Sequence, residues 1–203
     1  MIAIIDYGVG NLFSLSSSLR AIGQEAIVTA DAQDLRRAER IILPGVGAFG
    51  DAAQKLRATG LVATIREEAA KGKPLLGICL GMQLLFDKSY EYGEHEGLSL
   101  IPGKVMPLAP MLPEGLKVPH IGWNRLDLTK PDDPIFRHTR ADDYVYYVHS
   151  FYAAECEKST LAVSEYGIPV TGAVREGSVV GMQFHPEKSG DAGLRLLKAF
   201  SEQ

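Results

Sequence analysis

Short apolar runs alternate with amphipathic segments through the first 80 residues of this chain. Four of the runs read as strands: IAIID (2–6), EAIVT (25–29), RIILPG (40–45) and KPLLGI (73–78). Segments with helical spacing separate them, at residues 11–23, 33–38, 48–58 and 60–71. Strands that alternate with helices predict a parallel sheet with helices on both faces. The runs are almost continuously hydrophobic, as expected of strands that are covered on both sides.

The second half of the chain has a different pattern. After a helix predicted over CLGMQLLFD (79–87), shorter strands with little helix between them are expected within 97–108, 116–128, 143–153, 160–166, 170–176 and 179–187. A final helix is predicted over residues 190–200. The sequence contains no repeat, no low-complexity segment and no dividing linker. We therefore expect residues 1–203 to form a single α/β domain.

Composition excludes several classes of protein. The net charge of −4 argues against a nucleic-acid footprint. No apolar stretch approaches the ~18 residues that a spanning helix needs, and the opening MIAIIDYGVG lacks the basic region of a signal peptide. Two cysteines form no disulfide framework, and no Cys/His pair has the close spacing of zinc ligands. We expect a cytoplasmic protein without metal or cofactor.

The loop after the first strand resembles the beginning of a dinucleotide-binding fingerprint. Gly8 and Gly10 have the required spacing, but Phe13 occupies the place of the third glycine. The second strand also lacks a well-placed acidic residue for a ribose, since Asp31 is only loosely positioned. A tight turn into a helix is the preferred interpretation.

Cys79 has the setting of a nucleophile. Gly77-Ile78-Cys79-Leu80-Gly81 has the spacing of a nucleophile elbow with Cys in place of Ser, between a strand and a helix. Glycines permit the close backbone approach and strained geometry of such a turn. A helix N-terminus also favours the thiolate form of a cysteine. The alternative is a small buried hydrophobic residue, which cysteine often is.

A cysteine nucleophile needs a base, and three histidines lie near the ends of apolar runs: His120, His149 and His185. Spacing alone does not select among them. His185 is followed by Pro186-Glu187, and residues two apart in an extended segment face the same side. Glu187 could therefore orient the imidazole in a Cys-His-Glu triad, although HPE could also simply end a strand in a turn.

Backbone and amide groups nearby could complete such a site. The segment LPGVG (43–47) follows a strand, so its N–H groups, with that of Leu80, could face a developing oxyanion. An ordinary turn explains the segment equally well. Gln83 lies one helical turn after Cys79 and is a lone amide in an apolar stretch. It could recognise an amide substrate or bond to backbone in the core.

Together these segments resemble the class I glutamine amidotransferases. The motifs on which this resemblance rests are GICLGMQLL (77–85), QFHPEKS (183–189) and LPGVGAFGD (43–51). More narrowly, IIDYGVGNLFS (4–14), HIGWN (120–124) and YYVHSFY (146–152) are similar to the glutaminase subunits of histidine biosynthesis. The resemblance implies a flavodoxin-like three-layer fold with a mostly parallel central sheet and additional shorter strands in the second half.

The resemblance also implies a chemistry for each motif. Cys79 would attack the amide carbon of glutamine, His185 would transfer the proton, and Glu187 would orient His185, with a thioester as intermediate. The oxyanion would be held by N–H groups near Val46 or Gly47 and at Leu80. The amino-acid end of glutamine would be bound by four residues: Gln83, Glu91, Ser150 and Phe151.

Ammonia is small and easily lost to water, and the resemblance accordingly implies a partner. A (β/α)₈-barrel cyclase subunit would form a heterodimer with this chain, receive the ammonia, and make imidazole glycerol phosphate and an aminoimidazole carboxamide ribotide. Four residues match positions expected at that interface: Asn11, Trp123, Tyr146 and Lys188. Each has a simpler alternative, such as a core position for Trp123.

Three other functions remain open at this stage. The chain could be a glutaminase subunit for anthranilate, pyrimidine, purine or pyridoxal phosphate synthesis, with the same triad. It could be a cysteine peptidase or γ-glutamyl hydrolase that works alone. It could also be a non-catalytic binding subunit, although the intact Cys79, His185 and Glu187 argue against this. Fold alone decides none of these.

Overall fold

A computed structural model of the chain describes all 203 residues. Its first half alternates strands and helices as the sequence predicts: β1 (Ile2–Ile5), α1 (Leu12–Ala21), β2 (Ala26–Thr29), α2 (Ala32–Arg37), β3 (Arg40–Leu43), α3 (Phe49–Ala58), α4 (Val62–Ala70), β4 (Leu75–Ile78) and α5 (Leu80–Leu84). From β1 to β4 the observed boundaries lie within two residues of those expected, because apolar periodicity defines the centre of an element better than its end.

The second half is mainly strand, again as predicted: β5 (Phe86–Ser89), β6 (His95–Glu96), β7 (Ile101–Pro107), β8 (His120–Arg125), β9 (Asp127–Leu128), β10 (Tyr144–His149), β11 (Phe151–Ala154), β12 (Thr160–Glu165), β13 (Pro169–Glu176) and β14 (Val179–Met182). Three short 3₁₀ turns interrupt it, at Ala109–Met111, Pro134–Phe136 and Pro186–Lys188, before α6 (Gly190–Ser201). The helix expected over residues 79–87 is too long. It ends at Leu84, and the chain enters β5, whose pairing with β7 overrides the helical pattern.

The central sheet has eight strands in the order β2-β1-β3-β4-β14-β13-β12-β9. The first five are parallel, and the last three add antiparallel pairs. A four-stranded sheet (β11-β7-β5-β6) and a two-stranded ribbon (β10-β8) supply the shorter strands. The mostly parallel sheet confirms the predicted fold class.

Alternate residues of each parallel strand pack on opposite faces of this sheet. Ala3 and Ile5 belong to one buried cluster, whereas Ile2 and Ile4 belong to the other. This alternation follows from the two-residue period of a strand, and it explains why the runs are hydrophobic throughout. None of the helices combines the length and the apolar character that a membrane-spanning helix needs.

Three adjacent parallel strands end at the same edge of the sheet, and each is followed by a segment predicted to belong to the site. β4 lies between β3 and β14, and all three end at the same side. Pro44 follows β3, Cys79 follows β4, and His185 comes three residues after β14. Ligand sites in such folds lie beyond the carboxyl ends of the strands. The topology therefore brings residues about 100 positions apart into one place.

Candidate active site

Cys79 is the turning point between β4 and α5. Its φ of 54° and ψ of −112° lie outside the regions that L-residues usually adopt, and only three other non-glycine residues have a positive φ. The Cys79 N–H donates to the Met182 carbonyl of β14 at 2.7 Å, which anchors the turn. A strained residue that the surrounding structure holds in place is typical of a functional position.

The glycines on either side of Cys79 are required by close packing. A Cβ on Gly77 would lie 2.7 Å from the Gly81 carbonyl oxygen, and a Cβ on Gly81 would lie 1.9 Å from the Leu43 carbonyl oxygen. Both distances are too short for any side chain. This turn therefore packs directly on the end of β3, as the elbow pattern predicts.

His185 and Glu187 form the expected pair. His185 Nδ1–H donates to Glu187 Oε1 at 2.8 Å, and both side chains are almost fully buried. The Cys79 and His185 side chains line the same cavity. Burial alone would lower the pKa of His185, but the hydrogen bonds and negative charges of Cys79 and Glu187 outweigh it and raise the pKa to about 9. The geometry matches a nucleophile, base and orienting carboxylate.

A cavity of about 410 Å³ opens beside the Cys79 side chain. Nine of the residues predicted for catalysis, the oxyanion and substrate binding line it: Val46, Gly47, Cys79, Leu80, Gln83, Glu91, Ser150, Phe151 and His185. Lys188, predicted for the partner interface, lines it as well. Pro119, Val148 and His149 complete the lining. Glu187 lies outside the lining, on the far side of the His185 ring. The structure thus brings catalytic and substrate-binding candidates together.

Comparison with known proteins agrees with this arrangement. The family model "Glutamine amidotransferase class-I" matches residues 3–202. The chain belongs to the class-I glutamine amidotransferases. A crystal structure of a glutamine amidotransferase superposes on this fold with a TM-score of 0.78 at 21% sequence identity, covering 100% of this chain and 98% of that one. At this identity the superposition shows the shared fold.

The relatives that match this chain over its full length carry a more specific name than that of the family. The amidotransferase is 49% identical to the imidazole glycerol phosphate synthase subunit HisH of Caldanaerobacter subterraneus subsp. tengcongensis, and 48% identical to that of Oceanobacillus iheyensis. Both alignments span 203 residues, which is 100% of this chain and 98% of each relative.

The loop after β3 in this amidotransferase has free backbone donors beside the nucleophile. The N–H groups of Val46, Gly47 and Leu80 have no hydrogen-bond acceptor within the chain. Tyr7, which the sequence did not single out, donates its hydroxyl to the Pro44 carbonyl at 2.7 Å and so fixes the start of the loop. Burial raises the pKa of Tyr7 far above its usual value and keeps it protonated.

Gln83 is bonded on its amino side and open on its carbonyl side. Its Nε2 donates to the Phe151 carbonyl at 3.1 Å and to Gln183 Oε1 at 3.0 Å. Gln183 Nε2 in turn lies 3.8 Å from Cys79 Sγ. Sequence analysis missed Gln183, although it is a lone amide in an apolar run, the same signal that identified Gln83.

Glu91 faces the cavity and also holds the start of α3. Its Oε2 accepts a hydrogen bond from the Phe49 N–H at 2.8 Å. Burial raises its pKa, partly offset by that hydrogen bond. The carbonyls of Ser150 and Phe151 already have partners, because Leu108 N–H donates to Ser150 and the Gln83 side chain donates to Phe151. Glu91 Oε1 and the Ser150 N–H remain for a ligand.

Of the residues expected at a partner interface, Lys188 lines the cavity, and Tyr146 lies beside Lys188. Trp123 of β8 is paired in register with Tyr146 of β10 and is 53% exposed. Lys188 Nζ lies 5.9 Å from the centre of the Tyr146 ring. Asn11 stands apart from these three, at the start of α1, next to Gly10, which packs on Pro44. Trp123 is therefore not a core residue.

The other histidines have different surroundings. His120 and His149 are buried and hydrogen-bonded to each other, and only His149 reaches the cavity. Among the three candidate bases, His185 alone has the orienting carboxylate. No group of three His, Cys, Asp or Glu side chains is arranged to hold a metal ion. Cys156 is buried beside the hydroxyls of Thr160 and Thr171.

Proposed function

We propose that the chain is the glutaminase subunit of an imidazole glycerol phosphate synthase, and that residues 1–203 act as one glutaminase domain. The observation that carries the proposal is that strained Cys79 lies at one cavity with His185, which is hydrogen-bonded to Glu187. The full-length relatives named as subunits of that synthase support the pathway. The reaction is hydrolysis of glutamine to glutamate and ammonia.

The first half of the reaction forms a thioester. Cys79 Sγ attacks the side-chain carbonyl carbon of glutamine, and His185 takes the thiol proton. The tetrahedral intermediate then collapses, the C–N bond breaks, and His185 gives its proton to the leaving ammonia. Glu187 keeps the imidazole oriented and stabilises its charged form. Such proton transfer contributes about 10²–10⁴-fold to the rate.

The second half returns the enzyme to its starting state. Water loses a proton to His185 and attacks the thioester, and the C–S bond breaks as glutamate is released with the Cys79 thiol restored. In both halves the negative oxygen would be bound by the N–H of Leu80 and those of Val46 or Gly47. One such donor is commonly worth about 10²–10³-fold in kcat.

The cavity offers groups for the amino-acid end of glutamine. Glu91 Oε1 and Gln83 Oε1 are hydrogen-bond acceptors suited to the α-ammonium group. The other carboxylate oxygen of Glu91 and the amide nitrogen of Gln83 are already hydrogen-bonded within the protein. The Ser150 N–H is a donor suited to the α-carboxylate. The backbone at Phe151 forms the adjoining wall. These assignments explain recognition of a small zwitterion with an amide side chain.

The ammonia would pass to a (β/α)₈-barrel cyclase subunit bound as a heterodimer. The exposed Trp123 and the neighbouring Tyr146 and Lys188 would contact it, and Asn11 would contribute from α1. The cyclase would use the ammonia to form imidazole glycerol phosphate and an aminoimidazole carboxamide ribotide. A cytoplasmic location stays a prediction, which fractionation of the source cells would test.

Covalent labelling tests the proposed chemistry. A glutamine analogue with a diazoketone in place of the amide should alkylate Cys79 alone, with loss of dinitrogen and a single added mass. Cys79→Ala should take up no label, and Cys156→Ala should label like the wild type. Label on Cys156, or equal labelling of Cys79→Ala, would contradict the assignment of the nucleophile.

A further inference from the structure

A chain of hydrogen bonds runs inward from the surface strand β8. Asn124 Oδ1 lies 2.8 Å from His120 Nε2, and His120 Nδ1 lies 2.9 Å from His149 Nε2. His149 Nδ1 lies 2.8 Å from the Phe151 carbonyl oxygen. The three contacts connect a strand that carries the exposed Trp123 to the wall of the glutamine cavity.

The same chain continues to the nucleophile. The Phe151 carbonyl also accepts from Gln83 Nε2, Gln83 is bonded to Gln183, and Gln183 Nε2 points to Cys79 Sγ. No water is needed to complete the connection. The orientation of the Phe151 peptide therefore depends on donors from two sides, and the triad cysteine lies at the end of the network.

The hydrogen-bond acceptors at the two ends of the network, the Phe151 carbonyl and Asn124 Oδ1, determine which ring nitrogens of His149 and His120 carry protons. The Phe151 carbonyl can only accept, so His149 carries its proton on Nδ1 and leaves Nε2 as an acceptor. His120 must then donate from Nδ1 to His149 Nε2. The third contact, from His120 Nε2 to Asn124 Oδ1, requires one further proton.

The orientation of Asn124 is itself fixed. Its Nδ2 donates to the Glu165 carbonyl at 2.9 Å, which leaves Oδ1 facing His120. Three contacts therefore need three protons, whereas two neutral imidazoles carry two. The third proton, which makes one imidazole positively charged, belongs on His120 Nε2, at the end of the hydrogen-bond network remote from the cavity.

The surroundings favour His120 over His149 as the site of this proton. The His120 ring is stacked between Tyr147 and Tyr166, with centroids 4.9 Å and 3.9 Å away, and aromatic faces favour a cation. Burial lowers the pKa of His149 to about 4, so His149 stays neutral. Burial also lowers the pKa of His120, partly offset by Asn124. The other titratable groups facing the pair or its cavity are Tyr147, Tyr166, Cys79, Glu91, His185 and Lys188.

We propose that His149 is a positioning residue of the glutaminase reaction, which fixes the Phe151 peptide through Nδ1–H, and that His120 holds His149 in that tautomer from β8. The inference rests on the proposed function for its substrate. Loss of the Nδ1 donor leaves the Phe151 carbonyl to Gln83 alone and loosens the cavity wall. Binding of glutamine then suffers more than the chemical step at Cys79.

Two isosteric variants separate this role from a merely structural one. In His149→Asn the amide nitrogen can occupy the place of Nδ1, whereas in His149→Gln it can occupy only that of Nε2. His149→Gln should raise the KM for glutamine about tenfold with kcat much less affected, the effect of losing one buried hydrogen bond. His149→Asn should recover most of that loss. Equal KM values for the two folded variants, or a loss confined to kcat, would overturn the proposal.

Nuclear magnetic resonance of the wild-type chain tests the proton positions without substrate. Long-range ¹H–¹⁵N correlations, assigned with a His120→Gln variant, should show His149 as the Nδ1–H tautomer from pH 8 down to pH 5.5. Of these two histidines, only His120 should begin to gain a proton, on Nε2, over that range. An Nε2–H tautomer, or titration of His149 before His120, would refute the assignment. If the wild type does not hydrolyse glutamine, the proposed function fails, while the spectra still decide the proton positions.

Discussion

Gly81 and Leu43 meet backbone to backbone, with a gap that no side chain fits. A Cβ on Gly81 would lie 1.9 Å from the Leu43 carbonyl oxygen and 3.1 Å from the Pro44 carbonyl carbon. Gly45 repeats the arrangement from the other side, since its Cβ would lie 2.6 Å from the Gly81 nitrogen. The loop after β3 and the elbow after β4 therefore hold each other in place.

Gly81→Ala should destabilise the protein by about 3 kcal/mol, because backbone must move to admit the methyl group. Gly60→Ala is the matched control: Gly60 has a φ of +74° and open space around it, so only the backbone cost of roughly 1–2 kcal/mol applies. Urea unfolding would measure both. If Gly81→Ala lost no more unfolding free energy than Gly60→Ala, the close Gly81–Leu43 contact would not be what excludes a side chain at position 81.

Glu187→Gln should lower kcat for glutamine hydrolysis by about 10²–10⁴-fold. The amide keeps the shape of the side chain but not the charge that stabilises and orients His185. KM should change little, because Glu187 does not line the cavity. Steady-state glutamate release would measure the two constants. A variant with near-normal kcat would remove Glu187 from the triad.

The pairing of His185 with Glu187 should make the stability of the fold depend on pH. The pKa of His185 is about 9 in the fold, where Cys79 and Glu187 outweigh the effect of burial, against about 6.5 in an unfolded chain. Its contribution to stability is therefore full below pH 6.5 and is lost as the pH rises through 9, by up to about 3 kcal/mol. Urea unfolding from pH 6 to 9 should show a steeper loss for the wild type than for Glu187→Gln. Parallel curves would contradict the raised pKa.

The buried carboxylate of Glu68 provides a test outside the site. It pairs with Lys71, whose side chain is 64% exposed, and with Lys73, whose side chain is 13% exposed. Lys73 Nζ also donates to the Leu35 and Arg36 carbonyls near the end of α2. Lys73→Met should cost about 3 kcal/mol of unfolding free energy, whereas Lys71→Met should cost less than about 1 kcal/mol. The reverse order in chemical denaturation would be inconsistent with this packing.

Much of this fold follows from local sequence pattern. Apolar runs separated by helical spacing predicted the parallel sheet, and the elbow spacing around Cys79 predicted its strained turn. The extent of α5 was wrong, because CLGMQLLFD has helical character up to Asp87 while the pairing of Phe86 with Ile101 draws the chain into β5. A non-local pairing of this kind leaves no local signal.

The site was predictable only in part for the same reason. Cys79 and His185 stood out through their neighbours in sequence, but no spacing selected His185 over His149 or His120. That choice needs the 2.8 Å contact to Glu187. Tyr7 and Gln183 act through contacts to segments far along the chain, at Pro44 and Cys79, and only the folded topology reveals those contacts.

The central claim is that a Cys79-dependent glutaminase supplies ammonia to a cyclase partner. The most direct measurement is the rate of glutamate release by the purified chain, with and without the cyclase subunit and its nucleotide ligand, alongside Cys79→Ala. The account predicts slow release alone, strong stimulation by the liganded partner, and none from Cys79→Ala. Full-rate release without the partner, or release that survives Cys79→Ala, would contradict it.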